Sequence, residues 1–410
     1  MADDSRNTGR METRCLVAGG GPAGMMLGYL LARAGVEVVV LEKHADFLRD
    51  FRGDTVHPST LEVLAELGLD ERFLQRPHQE LRHISGQIGK ESFRIADFSR
   101  LKVKYPFIAF MPQWDFLDFL AEEAAKLPSF RLMMSTEARQ LIVEGGRVVG
   151  VSAKAPEGEM EIRAGLVVAA DGRSSTLRPQ AGLEVKTLAA PIDVLWFRVG
   201  KQEGAEQGFG HIDRGHVLVT IDRGDYWQCA FVIRKGGAEA VKAGPLEAFR
   251  ETIAETASYL RPHIDDVKSW EDVKLLSVAV DRLEHWSRPG LLCIGDAAHA
   301  MSPIGGVGIN MAIQDAVAAA NLLAPTLKGG GPVLEAALDG VRRRRQLPTR
   351  VVQAVQVFIQ NRVVVPTLAG RTLKPPFFLR LLDRWPALQV LPAGFIGIGI
   401  RPERIAYDLL

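Results

Sequence analysis

Six residues near the start of the chain, Gly19-Gly20-Gly21-Pro22-Ala23-Gly24, constrain its fold more than any other stretch. They follow a strand-like run, Arg14 to Ala18, and precede Met25 to Ala34, which reads as a buried helix stopping at Gly35. A second apolar run, Val36 to Leu41, completes a strand-helix-strand unit within about thirty residues. In that setting the G-x-G-x-x-G spacing has a physical meaning. Gly19 permits the tight turn, Gly21 lets the helix N-terminus approach a pyrophosphate, and Gly24 lets the helix lie close on the strand. Glu42 follows the second strand, where a carboxylate accepts hydrogen bonds from ribose hydroxyls. An ordinary glycine-rich turn is the competing explanation, and the strand, helix and Glu42 in register argue against it. The unit is expected to hold a dinucleotide; FAD and NAD present the same groups to it.

Two later segments repeat the logic of a buried strand ending in a carboxylate. Val167 to Ala170 leads into Asp171-Gly172 and then Arg173 to Arg178, while Leu291 to Ile294 leads into Gly295-Asp296 and on through His299 and Pro303 to Asn310. Gly305, Gly306 and Gly308 permit close backbone approach there, and an alanine-rich helix, Met311 to Leu323, aims free amides and its dipole at whatever lies before it. Helical patterning also marks Pro58 to Leu67 and Trp114 to Lys126, and Leu141 to Val151 reads as a hairpin turning at Glu144-Gly145-Gly146. From Ile192 to Ile233 the texture becomes β-rich and aromatic, a second domain built on a sheet. Strand alternation sets Trp227 opposite Tyr226 and Gln228 without saying which face is inside.

With these three segments in order, the chain resembles the p-hydroxybenzoate hydroxylase family of class A FAD-dependent aromatic monooxygenases, over roughly Arg14 to Leu323. The resemblance implies an α/β fold: a discontinuous Rossmann-like FAD-binding domain (1–80, 106–187 and 274–327), an inserted mixed β-sheet substrate domain (81–105 and 188–273) and a C-terminal helical region (328–410). It implies bound FAD, with NADH or NADPH as transient reductant, and hydroxylation of an aromatic by O2 through a flavin hydroperoxide. FAD-contacting residues follow by position: Gly19, Gly21, Pro22, Ala23 and Gly24 at the pyrophosphate, Glu42 and Lys43 near the ribose, Arg52 reaching pyrophosphate and flavin, and Gln113 and Asp296 facing the ribityl chain. Gly295 precedes that aspartate, and Pro303, Gly308, Ile309 and Asn310 pass beside the isoalloxazine. Asp171 and Arg178 either serve the nucleotide surface or organise it, with a solvated, structural Arg178 the equal alternative, and His299 reads as structural.

No catalytic residue is assigned. His211, His216 and Tyr226 are candidate bases, each equally a core or surface residue, and Arg198 and Arg234 are the only evident groups for a substrate carboxylate. That scarcity, with the apolar Leu388 to Ile400 segment reading as core or interface, favours an apolar or polycyclic aromatic substrate over p-hydroxybenzoate. A flavin halogenase would need a Trp-x-Trp-x-Ile-Pro run that is absent; a reductase of isoprenoid double bonds and a non-catalytic flavin sensor are the remaining alternatives.

Fifty basic against forty-nine acidic residues give a formal charge of +1, so no global field invites nucleic acid. The run Arg342 to Arg345 reads as a solvated helix face. Cys15, Cys229 and Cys293 sit in apolar runs at wide spacing, which fits a reducing cytoplasm and neither a disulfide framework nor a metal site. Met1 to Glu12 reads as a polar tail, and no charge-free run of spanning length occurs.

Overall fold

The first strand, Gly9–Ala18, begins earlier than the sequence suggested. Its Gly9 to Thr13 half, most of which polar composition placed in a tail, pairs with Met160 to Ala164. A parallel ladder satisfies backbone groups whatever the side chains are; these residues stay exposed or half-buried, whereas Cys15 to Ala18 are buried. This computed structural model describes residues 9–48, 55–188, 190–201, 210–371, 375–406 and 409.

Around that strand a parallel sheet forms in the order Leu291–Cys293, Gly158–Ala169, Gly9–Ala18, Val38–Leu41 and Phe130–Met133. The hairpin Glu137–Glu144 and Arg147–Ala155 pairs with the outer half of Gly158–Ala169. Val38 to Leu41 is buried at every position, as expected of a strand covered on both faces, so it shows no polar alternation. The helix Pro22–Arg33 starts with proline at a position whose N–H has no helical partner anyway, and every residue from Ala23 to Ala32 is buried. It packs against the helix Gly308–Lys328, which begins three residues before the expected Met311 and ends five after Leu323.

A second, mixed sheet runs Lys274–Leu276, Ile192–Gly200, Tyr226–Arg234, His216–Asp222, Gly210–Asp213, His83–Ile88 and Glu91–Asp97. All neighbours are antiparallel except Gly210–Asp213 beside His83–Ile88. The sheet has two unlike faces. Leu195, Phe197, Trp227 and Phe231 form an outer core with Phe249 of the helix Leu246–Thr256. On the inner face Val194, Ala230 and Val232 pack against Ile304, Val357 and Val364. Trp227 therefore points away from the glycine-rich 303–308 loop.

After Lys328 the chain returns along the fold. The helix Glu335–Ile359 passes through Pro348 rather than breaking there, with Thr349 donating its hydroxyl to the Arg345 carbonyl. The apolar Leu388 to Ile400 segment contains the helix Val390–Gly397, whose Ala393 lies among Phe98, Phe110 and Ile221. Among the described residues one helical stretch, Ile304–Lys328, is long and apolar enough to cross a membrane, and most of it is buried inside the fold. A core helix passes the same length test.

Candidate active site

Two positions of the glycine motif are held by sterics that admit no other residue. Gly19 has φ +113°, and a Cβ there would lie 2.3 Å from the carbonyl oxygen of Ala170; a Cβ on Gly24 would lie 1.9 Å from that of Gly19. Gly21 is different: a Cβ there meets no atom within 4 Å. It opens onto free space at the N-terminus of Pro22–Arg33, where no side chain caps the helix. Glu42 braces the turn, its carboxylate accepting the amide of Gly20 at 3.1 Å and that of His44 at 3.1 Å. Lys43 beside it is exposed. Arg52 lies outside the described residues.

The later segments converge on the same point. Gly295 sits where a Cβ would touch Ala23 at 3.1 Å and Ala312 at 3.4 Å, so the first turns of the two central helices meet there. Asp296 follows with its side chain one-third exposed and Arg173 Nη2 at 3.5 Å. Asp171 caps a short turn, its Oδ2 accepting the amides of Thr176 at 2.9 Å and Leu177 at 3.3 Å, while its buried Oδ1 has no hydrogen-bond partner. Arg178 is buried and donates to the carbonyls of Ala297 at 3.2 Å and Arg173 at 3.2 Å. It organises the surface by tying the Asp-Gly segment to the Gly-Asp segment. Gln113 opens the helix Gln113–Ala124, half-buried.

The loop from Pro303 leads into a helix start that resembles the first. A Cβ on Gly308 would meet nothing within 4 Å. Helix geometry leaves the amides of Gly308, Ile309 and Asn310 without helical partners, and among the described residues no other acceptor takes them. The Asn310 side chain is engaged elsewhere: its Oδ1 accepts the His57 amide at 2.9 Å and the Thr60 hydroxyl at 2.7 Å. Thr55 donates its hydroxyl to the Gly306 carbonyl at 2.7 Å. Residues 55–60 thus clamp the loop, a role that no sequence motif announced.

Beneath the cradle lies a buried ion network. Asp315 Oδ2 accepts the Gly295 amide at 3.0 Å and faces His299 Nε2 at 2.6 Å, and its Oδ1 accepts Arg345 Nε at 3.1 Å. Burial alone would raise the Asp315 carboxyl, but His299 and Arg345 beside it, with the Gly295 amide, hold it below the usual carboxylate range. His299 is buried and held by Asp315. The four-arginine run is not one solvated face: Arg345 is 1% exposed, and Arg344 pairs with Glu403. A lone acid within an alanine-rich helix was the available signal for Asp315.

His211 is buried and bonded to Tyr259 at 2.9 Å, and His216 lies against Phe231, so both belong to the outer face. Tyr226 lies under the Arg198 guanidinium, and Arg234 donates to the Leu368 carbonyl. His57 is fully buried, its Nδ1 bonded to the Ile396 carbonyl, and burial pushes the imidazole down to about 4 from 6.5. The unfolded chain takes up a proton below about 6.5 that the folded chain refuses until about 4. His57 therefore contributes stability above pH 6.5 that is lost as pH falls towards 4, about 3 kcal/mol by linkage. Urea unfolding at pH 7 and pH 4.5 is expected to show a smaller acid loss in His57→Asn, whose amide can serve the same carbonyl, than in the parent; equal losses in both would refute the assignment.

Comparisons with known proteins show the family and the fold. A family profile described as FAD binding domain matches residues 12–355. The 6-methylpretetramide 4-monooxygenase of Streptomyces rimosus is 32% identical over 400 residues, covering 97% of this chain and 95% of that one. The rifampicin monooxygenase of Streptomyces venezuelae is 29% identical over 364 residues, covering 84% and 71%. Among solved structures, the anhydrotetracycline hydroxylase OxyS of Streptomyces rimosus superposes with a TM-score of 0.75 at 24% identity over 95% of this chain and 77% of that one, a likeness of fold. The chain belongs to the FAD-binding family of p-hydroxybenzoate hydroxylase-like aromatic monooxygenases.

Proposed function

We propose that the cradle formed at Gly19–Gly24, Gly295–Asp296 and Gly308–Asn310 holds FAD, and that the enzyme hydroxylates an apolar, polycyclic aromatic. The observation that carries this reading is the meeting at Gly295 of two uncapped helix starts, each opened by a glycine, Gly21 and Gly308, that faces free space. Aligned amides and helix dipoles of this kind suit a pyrophosphate at one start and the electron-rich pyrimidine edge of a flavin at the other. When bound, FAD accepts hydride from NADH or NADPH and activates O2, one atom of which enters the ring while the other leaves as water.

The chain's own residues bind and orient. Pro22, Ala23 and Gly24 present the helix start to the pyrophosphate, with Arg52 adding charge; Glu42 takes the adenosine ribose, beside Lys43; Gln113 and Asp296 take ribityl hydroxyls. Pro303, Gly308, Ile309 and Asn310 border the ring, and Asp171 shapes the nucleotide surface. We divide the chain as its family resemblance suggests, with the inserted sheet covering the flavin. Its inner face, Trp196, Val219 and Ala230, offers an apolar wall that suits fused rings, and two relatives are named for polycyclic substrates. Three buried thiols fit work in the reducing cytoplasm.

NADH and NADPH oxidation with parallel O2 uptake, run with phenols, quinolones and polycyclic aromatics, tests the reading. A polycyclic compound is expected to accelerate both and to gain one oxygen atom from O2. Anaerobic turnover without oxygen transfer would favour a reductase instead.

A further inference from the structure

We propose that the C-terminal surface around the helix Phe377–Arg384 docks the enzyme on an anionic lipid surface. Long apolar side chains on this helix do not all face the fold: Leu379 is buried, whereas Phe377 is 78% exposed, Phe378 55% and the following Trp385 56%. At 100° per residue, Phe378, Leu381 and Trp385 form one stripe turned well away from Leu379. Leu391 extends the patch at 67% exposure. Among the described residues the exposed large aromatics lie in this stretch, save Phe358. Single exposed hydrophobics need no explanation; a stripe of two aromatics and a leucine on one amphipathic helix does.

Charge selects the occupant. Arg380, Arg384 and Arg94 of the adjoining strand Glu91–Asp97 are exposed, against Glu91 and Asp383, on a chain whose formal total is +1. Arg380 reaches Glu91 at 3.3 Å, so part of this charge is paired, and an excess of arginine remains. A second copy docked face to face would oppose cation to cation. Aromatics projecting from a convex helix, rimmed by arginine, match a deformable anionic interface, where rings enter the headgroup layer and guanidinium groups meet phosphate. The neighbouring helix Val390–Gly397 joins this surface to the site, because Phe395 and Ile396 pack with Met301, Val307 and Met311. An apolar substrate dissolved in lipid would thus be met near the cradle.

Co-sedimentation of the FAD-loaded enzyme with phosphatidylcholine vesicles, with and without about a third phosphatidylglycerol, tests the proposal. Binding is expected only with the anionic lipid, to weaken with salt, and to fall about fivefold in Arg384→Glu, the usual worth of a surface cation, and about tenfold or more in Phe378→Ser/Trp385→Ser. Bound flavin and the circular dichroism spectrum should be unchanged in both variants. No binding by the parent enzyme, or binding that neither variant alters, overturns it. So does a concentration-dependent dimer that the double variant abolishes, which would give the patch to a second copy, and so does salt-sensitive capture of an acidic carrier protein without vesicle binding.

Discussion

Gly21→Ala is expected to unfold at the same temperature as the parent when both are free of FAD, yet to bind FAD at least about tenfold more weakly, some 1.4 kcal/mol. The backbone at Gly21 has φ −73°, which alanine adopts without strain, and the added methyl meets nothing in the protein. It enters the space assigned to the pyrophosphate. Gly24→Ala has the opposite signature: its methyl would fall 1.9 Å from a backbone oxygen that cannot move without displacing the turn. The folded state itself should lose about 3 kcal/mol, the upper end for an overpacked site, and FAD binding should fail with it. Thermal unfolding of the apoprotein and flavin fluorescence titration separate the two cases. Normal FAD affinity in Gly21→Ala would place the pyrophosphate elsewhere.

Arg345→Met should be the most destabilising single change outside the glycines. It leaves Asp315, fully buried, without the guanidinium that helps hold it ionised, and removing one partner of a buried pair costs about 3–5 kcal/mol. The sign with pH follows. In the parent, the depressed Asp315 carboxyl contributes stability above the unfolded carboxylate range that is lost as pH falls through its folded value. In the variant, burial outweighs the remaining partners and acid neutralises the stranded charge. The gap between the two proteins in urea midpoint is therefore expected to narrow between pH 7 and pH 5. Because Asp315 also holds the Gly295 amide, the variant should release FAD more readily. A gap that widens on acidification would mean the network does not carry the charge assigned to it.

The parts of the fold that were legible in the sequence are those whose physics is local. A strand, a glycine turn and a helix announce themselves within thirty or so residues, and so do carboxylates ending buried strands such as Asp171 and Asp296. The inserted sheet was visible in the β-rich, aromatic texture around Trp196 and Phe231, but alternation names two faces without saying what covers each. Only the packing of Ile304 on Val194 and Ala230 shows which is inner. The Asp315–Arg345 pair was hidden because its partners sit thirty positions apart on different helices, and Arg345 is camouflaged in a run of four arginines. Asn310 and His57 were missed as partners for the same reason, being 253 positions apart. Gly9 to Glu12 was misread because a polar strand edge and a tail have the same composition.

The central claim is that one polypeptide builds a single FAD cradle from three distant segments. Measuring flavin per chain on the purified protein, with a titration of the apoprotein by FAD, tests it most directly. The expected result is a yellow protein with one FAD per chain, released unchanged on denaturation and rebound with loss of flavin fluorescence. A colourless protein that takes up no FAD, and oxidises neither NADH nor NADPH after FAD is added, would contradict the account at its base.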